Sequence, residues 1–217
     1  MQETDLGMMD AGQLTALFRS GEASPLEAAR ASLARIERFN DAVNAYVYID
    51  HEGAEQAAKA SARRWGQGKP LSPIDGVPVS MKDLTEVAGM PARDGSLTTS
   101  NAPCESDAPP ARMLREAGAI FLGKTNTPEF GWKAVTDNRV FGATRNPWDT
   151  RLTPGGSSGG AAAAAALNLG CCTRAATPGA RSVSRPPSPG CSASSPPTAG
   201  RRSGRRRPSR RCRISGR

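Results

Sequence analysis

Residues 153–170 read TPGGSSGGAAAAAALNLG, and their reading decides the fold. Glycine and serine alone would make a flexible linker. Here they run straight into an alanine-rich segment, so the glycines stand at the start of a helix predicted over 158–169. Backbone N–H donors gather at such a start and the helix dipole favours negative charge. The preceding NPWDTRLTP (146–154) is turn-rich with an aromatic anchor, unlike linker filler. Glycine in this setting lets the backbone come close to a reacting group. Gly155, Gly156, Ser157 and Ser158 are therefore candidate site residues.

Upstream, strands and helices alternate. GVPVSMKD (76–83) and AIFLG (119–123) read as strands, 109–118 as a helix, and TNTPEFGW (125–132) as a turn entering a further helix. The asparagine-rich stretch 137–152 reads as a long loop. Nearer the start, Asp10 can cap a helix over 10–20 with Leu14, Leu17 and Phe18 on one face. In SPLE (24–27), Ser24, Pro25 and Glu27 form a capping box with proline at the first helical position. That helix is predicted to run to about Phe39, followed by a strand in VNAYVYID (43–50) and a helix over 51–65. Alternating elements of this kind predict an α/β layered fold, with 1–70 as a helical region and 71–170 as the start of the α/β core.

Two lysines compete for attention. GAIFLGKT (118–125) matches the phosphate-cradling pattern G-x-x-x-x-G-K-[ST]. A cradle needs a loop whose N–H groups converge on an anion. Ala119, Ile120, Phe121 and Leu122 instead form an apolar strand, and Pro128 follows where a helix would be needed, so nucleotide binding is rejected. Lys82 ends the other apolar strand among Val77, Val79 and Met81, with Asp83 directly after it. On a surface it would be a solvated charge; buried, it would lose its ammonium easily and serve as a base. His51, the one histidine, opens an amphipathic helix far from these residues, so serine chemistry must take its base from lysine.

The composition changes at Cys171. Residues 171–217 hold 12 Arg and no Lys, Asp or Glu, which leaves 17 Lys+Arg against 20 Asp+Glu before them. Val183 and Ile214 are the only large aliphatic residues there, and aromatics are absent. Such a segment cannot offset the entropy of ordering, so an Arg/Pro/Ser-rich disordered tail is predicted. The five cysteines have no spacing typical of a zinc site or disulfide framework. No membrane-length apolar run or charged-then-apolar leader occurs, and a reduced, cytoplasmic setting is expected.

DGVPVSMKD (75–83), AGAIFLGKTNTPEF (117–130) and NPWDTRLTPGGSSGGAAAA (146–164), in this order and at these spacings, resemble the amidase signature family from about Asp10 to Gly170. The resemblance implies the N-terminal part of that fold, a mixed sheet covered by helices. It implies hydrolysis of carboxylic amide C–N bonds by a Ser-Ser-Lys triad acting on a small-molecule amide, with no cofactor and no metal. Lys82 would be the neutral base, Ser157 the bridging serine after a cis Gly156–Ser157 bond, and Ser158 a supporting hydrogen-bonding group. The nucleophilic serine should stand 24 residues beyond Ser157, and position 181 is arginine. The same family includes the catalytic subunits of tRNA-dependent amidotransferases, which are the alternative to a stand-alone amidase.

Arg181 has an explanation in the genetic code. Joining the third base of each codon to the first two of the next, permitted codons from Thr177 to Gly200 spell AGGSVRIPAAFTGLFGIKPTYGR. A serine arises at the junction of codons 180 and 181. The expectation is therefore a frameshift near Gly170–Cys171, a first domain over 1–170, an out-of-frame tail over 171–217, and an inactive chain. The competing reading is a nucleic-acid-binding module whose arginines grip phosphates. The tail lacks aromatics for base stacking, so no specific nucleic-acid partner is expected.

Overall fold

The computed structural model describes residues 6–170 and the backbone of 172–174. Five helices and a four-stranded mixed sheet organise them. Helix α1 (Ala11–Ser20) is capped by Asp10 as the sequence predicts, with Gln13 completing a capping box, and α2 (Pro25–Val43) begins at the predicted Ser24–Glu27 box with Pro25 in its first turn. Helix α2 runs past Phe39 to Val43, because Val43 still faces the core and Asn44 ends the helix in a left-handed conformation. The strand predicted over 43–50 is thereby shortened to β1 (Tyr46–Ile49). Helix α3 (His51–Gly66) follows at once, capped by Asp50.

Strand β2 (Pro78–Lys82), helix α4 (Pro109–Glu116) and strand β3 (Ile120–Thr125) come next. The helix expected after TNTP is only a 3-10 turn at Glu129–Gly131. Phe130 takes a φ of 48° while its N–H bonds the Asp94 carbonyl at 2.8 Å, so a long-range contact overrides local helical preference. The expected loop 137–152 contains a small antiparallel pair, β4 (Asp137–Asn138) and β5 (Gly142–Ala143). Helix α5 (Gly159–Ala166) is shorter than predicted. It stops where Asn168 turns left-handed and Arg35 of α2 donates to the carbonyls of Leu167 (2.9 Å) and Asn168 (3.3 Å).

The sheet order is β1-β3-β2-β6, where β6 is Cys172–Arg174. Strand β1 is antiparallel to β3, while β2 is parallel to both β3 and β6. The region 1–70, read as helical apart from one strand, contributes that strand as an edge of the α/β sheet. Strand β6 carries regular pairing into the segment expected to be disordered. Backbone hydrogen bonds form such a ladder whatever the side chains. The rest of the predicted tail lies outside the described residues.

One face of the sheet packs Ile120 and Leu122 against Ile36 and Leu33 of α2, Ala54 and Ala58 of α3, and Ala163 and Ala164 of α5. The other carries Val77, Val79, Met81 and Phe121 over Ala111, Val87 and Met90. Helix α5 approaches the sheet very closely: a Cβ on Gly160 would lie 2.4 Å from the Asn126 nitrogen and 2.7 Å from the Ala45 carbonyl oxygen. The register of β3 shifts between Phe121, paired with Val79, and Gly123, paired with Ser80. This bulge changes which face every later β3 side chain occupies.

Candidate active site

Lys82 closes β2 and is fully buried. Its Nζ lies 2.9 Å from the Ser157 hydroxyl and 3.1 Å from the Ser158 hydroxyl, bringing together residues 75 and 76 positions apart. Burial holds the Lys82 pKa down at about 8, because the ammonium loses hydration that the surrounding groups only partly replace. About a tenth of the amine is then neutral at pH 7, far more than for an ordinary surface lysine. A neutral amine can accept a proton from either hydroxyl, and an ammonium can donate to either.

The serine pair is set from several sides. The Gly156–Ser157 peptide is cis. Thr136 Oγ1 donates to the Gly155 carbonyl and accepts from the Gly159 N–H, both at 2.9 Å, so one hydroxyl ties the turn to the first residue of α5. Thr127 Oγ1 lies 3.4 Å from the Ser157 carbonyl oxygen. Ser158 is buried, whereas Gly155, Gly156 and Ser157 are half-exposed. The site thus has a fully buried amine in contact with one buried and one partly buried serine.

Asp83, adjacent to Lys82 in sequence, belongs elsewhere. Successive strand residues point to opposite faces, and Asp83 accepts from the backbone N–H groups of Arg93 (3.2 Å) and Gly95 (3.1 Å). Burial raises its pKa, with those two bonds and Lys124 opposing the rise. Lys124 of the phosphate-loop look-alike is fully buried and donates to the carbonyls of Thr85 (2.6 Å) and Pro91 (3.2 Å). Its predecessors form a buried strand, which leaves no converging loop for a phosphate. His51 is exposed at the start of α3, 3.7 Å from Glu37. Arg181 lies outside the described residues. The anchoring roles of Thr127 and Thr136 had no signal in the sequence, since each acts on a partner 19 or more residues away.

Comparison with known proteins agrees with this architecture. The amidase family model matches residues 27–188. The A subunit of the glutamyl-tRNA(Gln) amidotransferase of Salinispora arenicola is 43% identical over 154 residues, covering 71% of this chain and 31% of the relative. An acylamidase of Rhodococcus erythropolis is 40% identical over 170 residues, covering 78% and 36%. A crystal structure of an amidase superposes with a TM-score of 0.70 at 36% identity, over 76% of this chain and 38% of that one. The chain belongs to the amidase signature family. It spans about a third of the length of the curated relatives it matches. Among the described residues, no helix is long and apolar enough to cross a membrane.

Proposed function

We propose that residues 1–170 are the first part of a cytoplasmic amide hydrolase, with 1–70 and 71–170 as its helical and α/β portions. Lys82 is the base, Ser157 the proton bridge and Ser158 the supporting hydroxyl; Gly155 and Gly156 shape the turn that carries them. A neutral Lys82 accepts the Ser157 proton while Ser157 accepts one from the nucleophile. The nucleophile's oxygen attacks the carbonyl of a small-molecule amide, the amine leaves, and water cleaves the acyl-enzyme. The single observation that supports this reading is the contact of one buried amine with two adjacent hydroxyls at 2.9 and 3.1 Å.

The chain as written lacks the final component. Its expected position holds Arg181, and the hidden serine codon supports a frameshift after Gly170 with an out-of-frame tail over 171–217. The chain is therefore an inactive fragment. Resequencing the original DNA from the codon for Leu167 past that for Arg217 tests the frameshift. A corrected in-frame serine near position 181 supports a complete enzyme behind a sequencing error, while a confirmed shift supports a remnant gene. Incubation of the 217-residue chain with small carboxylic amides should release no product above background; turnover abolished by Lys82→Ala overturns the inactivity.

A second reading rests on the family match, which continues past Gly170 to residue 188. Ser182, one position beyond the expected place, lies inside it and would then be the nucleophile. Amide turnover lost in Ser182→Ala would establish that reading over the frameshift. The similarity to the tRNA-dependent amidotransferase keeps a transfer role in view; ammonia release from glutamine that needs a partner protein and charged tRNA would favour it over a stand-alone amidase. Nucleic-acid binding by the arginines should be sequence-blind and vanish at moderate salt; sequence-selective binding that survives it would make the tail a functional module.

A further inference from the structure

We propose that Ser157 and Lys82 form a self-contained serine–lysine dyad whose Ser157 oxygen accepts an acyl group from an activated aryl ester. This rests on the reading of Lys82 as a base, but it gives Ser157 a chemical role of its own. Three features of the site carry it. Lys82 is fully buried and Ser158 nearly so, while Ser157 is only partly buried, which makes it the more accessible of the two serines to an incoming carbonyl. The amine sits 2.9 Å from that oxygen, within reach of its proton. The backbone on both sides is held, by Thr136 at Gly155 and Gly159 and by Thr127 near the Ser157 carbonyl. The low pKa of Lys82, about 8, supplies neutral amine.

The step balances without any further reagent. Ser157 Oγ forms a bond to the ester carbonyl carbon as its proton passes to Lys82 Nζ. The tetrahedral adduct then collapses, the bond from carbonyl carbon to aryl oxygen breaks, and the aryloxide departs with the electron pair. The products are an acyl ester on Ser157, an ammonium at Lys82 and free phenolate. Ser158, 3.1 Å from Nζ, can accept a hydrogen bond from that ammonium. The substrate class follows from the leaving group. An aryloxide leaves unprotonated, so the step needs no return of the proton held on Lys82, and activated aryl esters are the substrates the dyad acylates most readily.

The test uses the unaltered 217-residue chain with p-nitrophenyl acetate, after its thiols are blocked with iodoacetamide. Nitrophenolate should appear in a burst of about one equivalent, and fragment-ion mass spectrometry should place the acetyl group on Ser157. The burst rate should rise with pH through a midpoint near 8 and fall by about 100-fold in Lys82→Met. Acetyl groups found only on surface lysines, or a burst rate indifferent to Lys82→Met, would overturn the dyad. Lys82-dependent acetylation of Ser182 would also overturn it while favouring the Ser182 reading. The absence of any Lys82-dependent acetylation overturns the dyad and leaves Lys82 as a base that acts only through the missing nucleophile. If Lys82→Met fails to fold by circular dichroism, the unaltered chain decides: a burst rate flat from about pH 6.5 to 9.5 is incompatible with a lysine of this pKa.

Discussion

Strands β2 and β3 run side by side and each brings a buried lysine to its C-terminal end, yet the two ends do opposite things. Both amines are pulled below the ordinary lysine range by burial. Lys82 meets two hydroxyls, which can donate or accept and so tolerate either protonation state. Lys124 meets two carbonyls, which only accept. The carboxylates of Asp83, Asp94 and Glu86 also work against the loss of its proton. Lys124 is thus placed as a cationic clasp for 85–91, whereas the partners of Lys82 accept either protonation state. Burial makes a lysine costly; the chemistry of its partners decides whether it becomes a base.

The bulge in β3 keeps these two ends apart. Pro78 pairs with Ile120 and Val79 with Phe121, so regular pairing would place Lys124 opposite Lys82 on one face. The extra residue instead pairs Lys124 with Met81 and Lys82 with Thr125. Gly123 makes room for it, with φ 152° and a hypothetical Cβ only 2.1 Å from the Tyr48 carbonyl oxygen. Breaking this separation gives the largest expected effect. Gly123→Ala should cost roughly 4–5 kcal/mol, because the clash is with backbone and cannot be relieved by a rotamer. Urea unfolding measures it; a loss below about 1 kcal/mol would mean that β3 holds its register without the glycine.

The next effect contrasts the lysines directly. Lys124→Met strips donors from two buried carbonyls and leaves Asp83 without its neighbouring cation, a loss of about 3–4 kcal/mol. Lys82→Met removes an amine that burial already disfavours and leaves hydroxyls that can pair with each other. At pH 7–8 it should unfold within about 1 kcal/mol of the parent. Equal losses in the two variants would erase the distinction between clasp and base.

The pH dependence sharpens the same contrast at a smaller scale. Between about pH 8 and 10.5 the unfolded chain still binds the Lys82 proton that the folded chain has released. The unfolded state then holds more protons, so stability rises with pH across this window. Relative to Lys82→Met, the parent should gain on the order of 3 kcal/mol between these limits. Denaturant titrations of both proteins at several pH values measure the difference. A parent-minus-variant difference that does not change would mean that Lys82 keeps its proton when folded.

How far the sequence exposes this arrangement depends on the range of the interactions. Ser24, Pro25 and Glu27 announce the start of α2 because a cap involves neighbours only. Lys82 and the serine pair stand out by composition, an amine ending an apolar strand and a glycine–serine turn opening an alanine helix. Their meeting across 75 residues is legible through the family resemblance, since no spacing rule spans that gap. Asp83 misleads by adjacency, because strand alternation sends it to the other lysine. The bulge at Gly123 depends on the Tyr48 carbonyl, and the turn at Phe130 depends on the Asp94 carbonyl. Neither partner can be found from local pattern.

The smallest effect asks whether a distant helix end bears on the Lys82 strand at all. Ser24 Oγ accepts from the Glu27 N–H, and the Glu27 carboxylate accepts from the Ser24 N–H at 2.7 Å and hydroxyl at 2.8 Å. Those bonds lower the Glu27 pKa. Pro25, held in this first turn, packs beside Gly76, where a Cβ would lie 2.7 Å from the proline ring. Gly76 leads into β2 through Val77, so the cap supports the entrance to the strand that ends in Lys82. Ser24→Ala should cost about 1 kcal/mol and lower the melting temperature by about 2–4 °C. Acetylation of Ser157 should proceed at the parent rate, because the β2 ladder to β3 fixes Lys82 independently of its entrance. A stability loss accompanied by a tenfold slower burst would show that the lysine's position is transmitted from the cap through Pro25 and Gly76.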